Sequence, residues 1–171
     1  MQKIRIALAG NPNTGKSTVF NELTGAHQRV GNWPGKTVER KIGHFQHGEL
    51  EVEIVDLPGT YSLSSFSLEE TIARDYIINE KPDVVINVVD SCNLERNLYL
   101  TLQILETQAK MILAINMEDQ ADLLGYTIDY QTLSERLHGI QIIPMVASKG
   151  HGIKQLKTAI SNCSHSIQLA N

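Results

Sequence analysis

Gly10-Asn11-Pro12-Asn13-Thr14-Gly15-Lys16-Ser17, directly after the apolar run Ile4-Arg5-Ile6-Ala7-Leu8-Ala9, is the stretch that decides the fold. It matches G-x-x-x-x-G-K-[ST], and it sits where that pattern acquires meaning, between a strand and a helix. Glycines let the backbone curl and approach a ligand closely, so that successive N–H groups converge on phosphate oxygens. Lys16 is expected to bridge the β- and γ-phosphates of a nucleotide and Ser17 to ligate Mg²⁺. A helix beginning near Lys16 adds its positive N-terminal end.

Working outward, short apolar strands alternate with amphipathic helices. Strands are expected at Ile4–Ala9, Val38–Gln46, Glu49–Val55, Val84–Val89, Met111–Ile115 and Ile142–Val146. Helices are expected at Ser17–Thr24 and Ser67–Glu80, from Leu94 onward, from Asp129 to Gly139, and around Ile153–Ile160. Ala26–Lys36 contains two glycines, a proline and a tryptophan, and reads as a long loop. This alternation predicts an α/β domain with a mostly parallel six-stranded sheet, one antiparallel strand and helices on both faces. The domain is expected over residues 1–165, with 166–171 as a tail.

The 171 residues suit one domain with a full core. A net charge of −4 and a pI near 5.8 argue against a broad nucleic-acid surface, so no nucleic-acid partner is expected. Cys92 and Cys163 are too isolated for a zinc site or a disulfide framework. No run approaches the roughly 18 apolar residues of a membrane span.

Ligands of parallel sheets gather at the carboxyl ends of strands, and three further motifs fall there. Asp56-Leu57-Pro58-Gly59 ends one strand: Asp56 suits Mg²⁺ through water, and the Gly59 N–H suits a γ-phosphate. Asn116-Met117-Glu118-Asp119 ends another. The Asp119 carboxylate can accept from guanine N1–H and its exocyclic amine, donors that adenine does not present in that arrangement, while Asn116 ties this loop to the phosphate loop. Ala147-Ser148-Lys149 follows a third strand and offers a backbone N–H to guanine O6. Thr37, late in the long loop, is the candidate second hydroxyl on Mg²⁺. That contact exists only with a γ-phosphate present, which makes the loop a switch.

In this order the motifs resemble the Ras-like P-loop GTPase fold. The stretches Gln28–Lys41 (containing Asn32-Trp33-Pro34-Gly35-Lys36-Thr37), Asp56–Leu63 and Asn87–Leu100 are similar to those of FeoB, a family of prokaryotic ferrous-iron transport proteins, and the similarity covers about residues 1–160. The resemblance implies a GTP/GDP-binding, GTP-hydrolysing switch on the cytoplasmic side of the cell membrane, joined to helical and membrane domains, with possible self-association. It implies nucleotide contacts from Gly10, Asn11, Pro12, Asn13, Thr14, Gly15, Lys16, Ser17, Thr18, Thr37, Asp56, Gly59, Asn116, Met117, Asp119, Ala147, Ser148 and Lys149. Magnesium falls to Ser17, Thr37 and Asp56. Catalysis falls to Lys16, Asn13, Thr37 and Gly59. Members of this family and other potassium-activated GTPases carry an asparagine where Asn13 stands. The resemblance therefore implies a K⁺ held by Asn13 and by carbonyls of the first switch, around Gly31 to Trp33.

Two departures from the wider Ras-like pattern bear on chemistry. Met117 replaces the usual lysine, as FeoB members do, and Ala147-Ser148-Lys149 replaces Ser-Ala-Lys, so ATP use stays open. Thr60 stands where many relatives place a water-orienting glutamine. Arg29 and Arg40 read as solvated, as do His44 and His47. Three rival readings share part of these motifs: an RNA- or ribosome-associated GTPase, a regulatory module with little turnover, and a kinase or ATPase.

Overall fold

The computed structural model describes the backbone of residues 2–168 and the side chains through Ser164. Seven strands form one sheet: β1 (Gln2–Gly10), β2 (Gln28–Asn32), β3 (Glu39–His47), β4 (Leu50–Asp56), β5 (Val84–Asp90), β6 (Met111–Asn116) and β7 (Gln141–Pro144). Their spatial order is β2-β3-β4-β1-β5-β6-β7. β1, β4, β5, β6 and β7 run parallel, and β3 runs against both of its neighbours. The helices are α1 (Lys16–Thr24), α2 (Leu68–Asp75), α3 (Leu94–Glu106), α4 (Glu118–Leu123), α5 (Tyr130–Arg136) and α6 (Ile153–Gln168).

Side chains of a strand alternate between faces, and β1 shows the consequence. Ile4, Ile6 and Leu8 pack with Val19, Phe20 and Leu23 of α1 and Leu156 and Ile160 of α6. Ala7 and Ala9 face the other layer, with Ile72 and Ala73 of α2 and Leu100 and Ile104 of α3. Both faces of the sheet are covered, which is why the central strands are continuously apolar.

The expected six strands become seven because Gln28–Asn32, inside the stretch read as a loop, pairs with Glu39–Gly43 as an edge strand. Four of its five residues are exposed; main-chain bonds to β3 and the Gln28 amide, which donates to Asn21 Oδ1 and Gly25 O at 2.9 Å each, hold it, and no hydrophobic alternation betrays it. The predicted helix over Ser67–Glu80 is split: after α2 the chain widens into a π-turn at Tyr76–Glu80, in which both Tyr76 and Ile77 are buried. Ser67 caps α2, its hydroxyl accepting from Glu70 N–H at 3.1 Å. α4 is an addition that the sequence pattern did not announce. The helical backbone of α6 continues through Gln168, into the stretch read as a tail; residues 169–171 lie outside the described residues.

The topology sets up the site. β1 sits between β4 and β5, so the chain leaves the sheet on opposite sides of it. Gly10, Asp56, Asp90 and Asn116 end four adjacent parallel strands, with Leu8 opposite Asp56 and Asp90 opposite Asn116.

Candidate functional site

The phosphate loop is shaped by two residues in the left-handed region, Asn13 (φ 64°) and Gly15 (φ 81°). A Cβ on Gly10 would lie 2.6 Å from the Val88 carbonyl oxygen, and one on Gly15 would lie 2.2 Å from Asn116 Nδ2. The glycines are therefore demanded by neighbours as well as by curvature. Gly15 caps α1 without any side-chain hydrogen bond, which leaves the first amides of a nine-residue helix open to an anion. Thr14 Oγ1 donates to Asn11 O at 3.0 Å and closes the loop from within.

Asp56 and Gly59 are brought beside this loop. Thr60 N–H donates to Gly10 O at 3.1 Å, and Gly59 faces Pro12. Lys16 Nζ forms an ion pair with Asp56 Oδ1 and donates to Leu57 O at 2.7 Å. The two charged side chains are only 10% and 11% exposed, so each is held where the chemistry needs it by the other's charge.

The motifs expected to read the base are tied to the same loop by one buried side chain. Asn116 Nδ2 donates to Thr14 O at 3.0 Å, while its Oδ1 accepts the Ala147 N–H at 2.9 Å. Met117 turns the chain out of β6 with φ 64°, and its carbonyl accepts from Ser91 Oγ at 2.8 Å. Asp119 stands at the start of α4 and accepts from Lys149 Nζ at 2.9 Å. The hydrogen bond from Lys149 is the chief reason the Asp119 carboxyl is held below the ordinary carboxylate range. The Ala147 amide goes to Asn116 and the Lys149 amide to Val146 O. Ser148 is thus the residue of the motif with its N–H still available for a base carbonyl.

The first-switch residues are placed on and around the β2–β3 hairpin. Thr37 is exposed near the end of the β2–β3 hairpin, and no hydrogen bond joins it to Ser17 or Asp56. Gly31 is a β2 residue opposite Arg40. Trp33 is buried, 5.6 Å from the Tyr76 ring in an edge-on contact. Arg40, read as solvated, instead lies 4.7 Å over the Trp33 ring with its Nε buried; the aromatic face favours the cation. His44 and His47 lie on β3, and among the described residues no cluster of histidine, cysteine and acidic side chains has the makings of a metal site.

Ser91, the Lys16–Asp56 pair and the stacking of Arg96 over Tyr61 at 4.6 Å escaped the sequence reading. Only Ser91 carried a local signal, through its position one residue past the end of β5.

The family model described as Ferrous iron transport protein B matches residues 4–160. The chain belongs to the FeoB N-terminal domain family. The Fe(2+) transporter FeoB of Salmonella typhimurium is 51% identical over 177 residues, covering 100% of this chain and 23% of that protein. FeoB of Escherichia coli K12 is 54% identical over 164 residues, 94% of this chain and 21% of that protein. The chain thus spans less than a quarter of the length of these curated relatives. Among solved structures, the FeoB G-domain from Methanococcus jannaschii aligns at TM-score 0.85 and 49% identity, covering 96% of this chain and 99% of that one. The cytosolic domain of the T. maritima FeoB iron transporter in a GDP form aligns at TM-score 0.89 and 44% identity, covering 95% and 64%.

Proposed function

We propose that this FeoB-family domain binds GDP and GTP with Mg²⁺, hydrolyses GTP, and serves as the cytoplasmic switch of a membrane transporter for ferrous iron. The observation that carries this reading is the Asn116 clasp, which fixes the phosphate loop and both base-reading loops as one rigid unit. The GDP form of the T. maritima relative supports the choice of nucleotide.

The residues fit the ligands. The first amides of α1, which no capping side chain occupies, are open to phosphate oxygens. Lys16 exchanges Asp56 for the phosphates, and Asp56 is then free to hold Mg²⁺ with Ser17, both being hard oxygen donors. Asp119 accepts from the guanine N1–H and exocyclic amine, and the Ser148 N–H donates to O6. Thr37 must move in from its exposed position to complete the Mg²⁺ shell, and that movement is the switch. When bound, Mg²⁺ and K⁺ neutralise charge on the phosphates; Asn13 would contribute the K⁺ ligand. Self-association and docking to helical and membrane domains belong to the same proposal. Among the described residues no helix is long and apolar enough to cross a membrane.

A second reading, a nucleotide-binding module with little turnover, is favoured by Thr60. It is 5% exposed, with its N–H committed to Gly10 O, and it offers no amide side chain to orient water. Calorimetry with GDP, GTP and ADP, followed by turnover in K⁺ and in Na⁺ for the wild type and Asn13→Ala, tests both. Guanine-selective binding with K⁺-stimulated hydrolysis that Asn13→Ala abolishes is expected; positioned cations of this kind are worth about 10³–10⁵ in rate. Tight binding with equal, near-zero turnover in every arm selects the second reading. Absence of heat with every nucleotide removes both.

A further inference from the structure

The seven-stranded sheet ends on β7 at one side and on β2 at the other. An edge strand offers a row of unpaired N–H and C=O groups to any other extended chain, and proteins ordinarily blunt it. β7 is blunted: it is four residues long and closes on Pro144. β2 carries no such device. Gln28-Arg29-Val30-Gly31-Asn32 holds neither proline nor lysine, and its register with β3 runs unbroken from Gln28 opposite Gly43 to Asn32 opposite Glu39.

The ladder decides which groups face the open edge. His44 N–H donates to His27 O at 3.0 Å and Trp33 N–H to Val38 O at 2.9 Å, which makes hydrogen-bonded pairs just before and just after β2. Bonded and non-bonded pairs alternate in an antiparallel ladder. Arg29 and Gly31 therefore commit their main-chain groups to β3, while Gln28, Val30 and Asn32 turn theirs outward. Val30, at the middle of the strand, is also 63% exposed.

We propose that β2 pairs antiparallel with β2 of a second copy of this chain, about a two-fold axis at Val30, so that two sheets become one. This surface gives the self-association proposed above its contact and rests on that reading. In this register the strand is complementary to itself. Gln28 meets Asn32, Val30 meets Val30 and Asn32 meets Gln28, each pair exchanging two main-chain hydrogen bonds, so every outward group is used. The two valine side chains meet at the axis. Gln28 Nε2 is engaged with Asn21 Oδ1 and Gly25 O at 2.9 Å each, and its Oε1 is left to accept from the Asn32 amide of the second copy. Arg29, the one charge of the strand, falls opposite Gly31, which presents no side chain. Beyond Gly31 lies Arg40, whose guanidinium is drawn over the Trp33 ring. Sliding the copies by two residues would set each Val30 against an amide side chain and strand one outward residue per copy.

Sedimentation equilibrium of the nucleotide-free chain over rising concentration tests the pairing. Monomer and dimer in mass-action exchange are expected. Val30→Pro removes an outward N–H from each copy without touching a bond to β3, and Val30→Lys sets two like charges directly opposite. Each should weaken dimerisation at least about tenfold, and Val30→Ile should preserve it. The Arg29 and Gly31 amides should keep their protection from hydrogen exchange in Val30→Lys, which shows that the hairpin itself is intact. In a mixture of labelled and unlabelled chains, a filtered NOE between Arg29 Hα and Gly31 Hα of different copies is expected, because non-bonded antiparallel pairs bring Cα atoms to about 4.5 Å. A wild type that is monomeric at every concentration overturns both the pairing and the self-association, and leaves the edge to a strand of another protein. A dimer that both Val30→Pro and Val30→Lys leave intact overturns the pairing alone and moves self-association to another surface. A trimer does the same, since a two-fold contact closes at two copies.

Discussion

Lys16 and Asp56, forty residues apart in the chain, are each other's charge partner at the centre of the site. The lysine proposed for the phosphates and the carboxylate proposed for Mg²⁺ are stored together, mutually neutralised and nearly buried. Each ligand releases one partner and leaves the other in need of a counter-charge, so nucleotide and metal should bind cooperatively. In Asp56→Asn the Lys16 ammonium loses its counter-ion. Breaking a buried pair from one side costs about 3–5 kcal/mol, and the residual exposure here places the loss near the lower end. Urea denaturation should report that loss, and calorimetry with and without Mg²⁺ should show that Mg²⁺ no longer tightens nucleotide binding.

Gly15→Ala should be severe. The new methyl would meet Asn116 Nδ2 at 2.2 Å, and the backbone sits at φ 81°. Strain at such a φ is of order 1–3 kcal/mol, and the clash adds displacement of the clasp that orders the base-reading loops. GDP affinity is expected to fall at least about tenfold, one power of ten for each 1.4 kcal/mol lost. Gly35→Ala, also at positive φ but with open space around it, carries the strain without the clash. It should therefore leave GDP affinity far less affected.

Asp119 has a folded-state pKa below its ordinary value, first because of the hydrogen bond from Lys149. Its contribution is fully present above the ordinary carboxylate pKa of about 3.9. It is lost as pH falls through the lowered folded value. Following the Asp119 side-chain carbon by NMR, Lys149→Ala should move the midpoint upward toward the ordinary range. No upward movement would mean that Lys149 does not set the state of this carboxylate.

Trp33→Ala removes the side chain that pins the β2–β3 hairpin to Tyr76 and supports Arg40. Truncating a buried tryptophan costs about 3–5 kcal/mol. Hydrogen exchange should accelerate at the paired amides of β2 and β3 and leave those of β5 and β6 largely unchanged. Uniform acceleration across the sheet would show that Trp33 supports the whole core rather than the switch.

The sequence by itself determined the phosphate loop, the three further strand-end motifs, the parallel character of the sheet and the helices that open at Ser67 and Asp129. These are local: a glycine pair, an apolar run or a hydroxyl before a helix constrains its own backbone wherever it sits. Tertiary structure alone decided which groups become partners. Asn116 reaches Thr14 across 102 residues because β6 and β1 flank β5 with their ends aligned, and Lys16 finds Asp56 because β1 and β4 run in register. β2 stayed hidden because an edge strand exposed on both faces needs no hydrophobic period, and Arg40 looked solvated because its aromatic partner is contributed by the opposing side of the same hairpin. Pattern encodes conformation, while partnership depends on strand order and register, which no short stretch of chain contains.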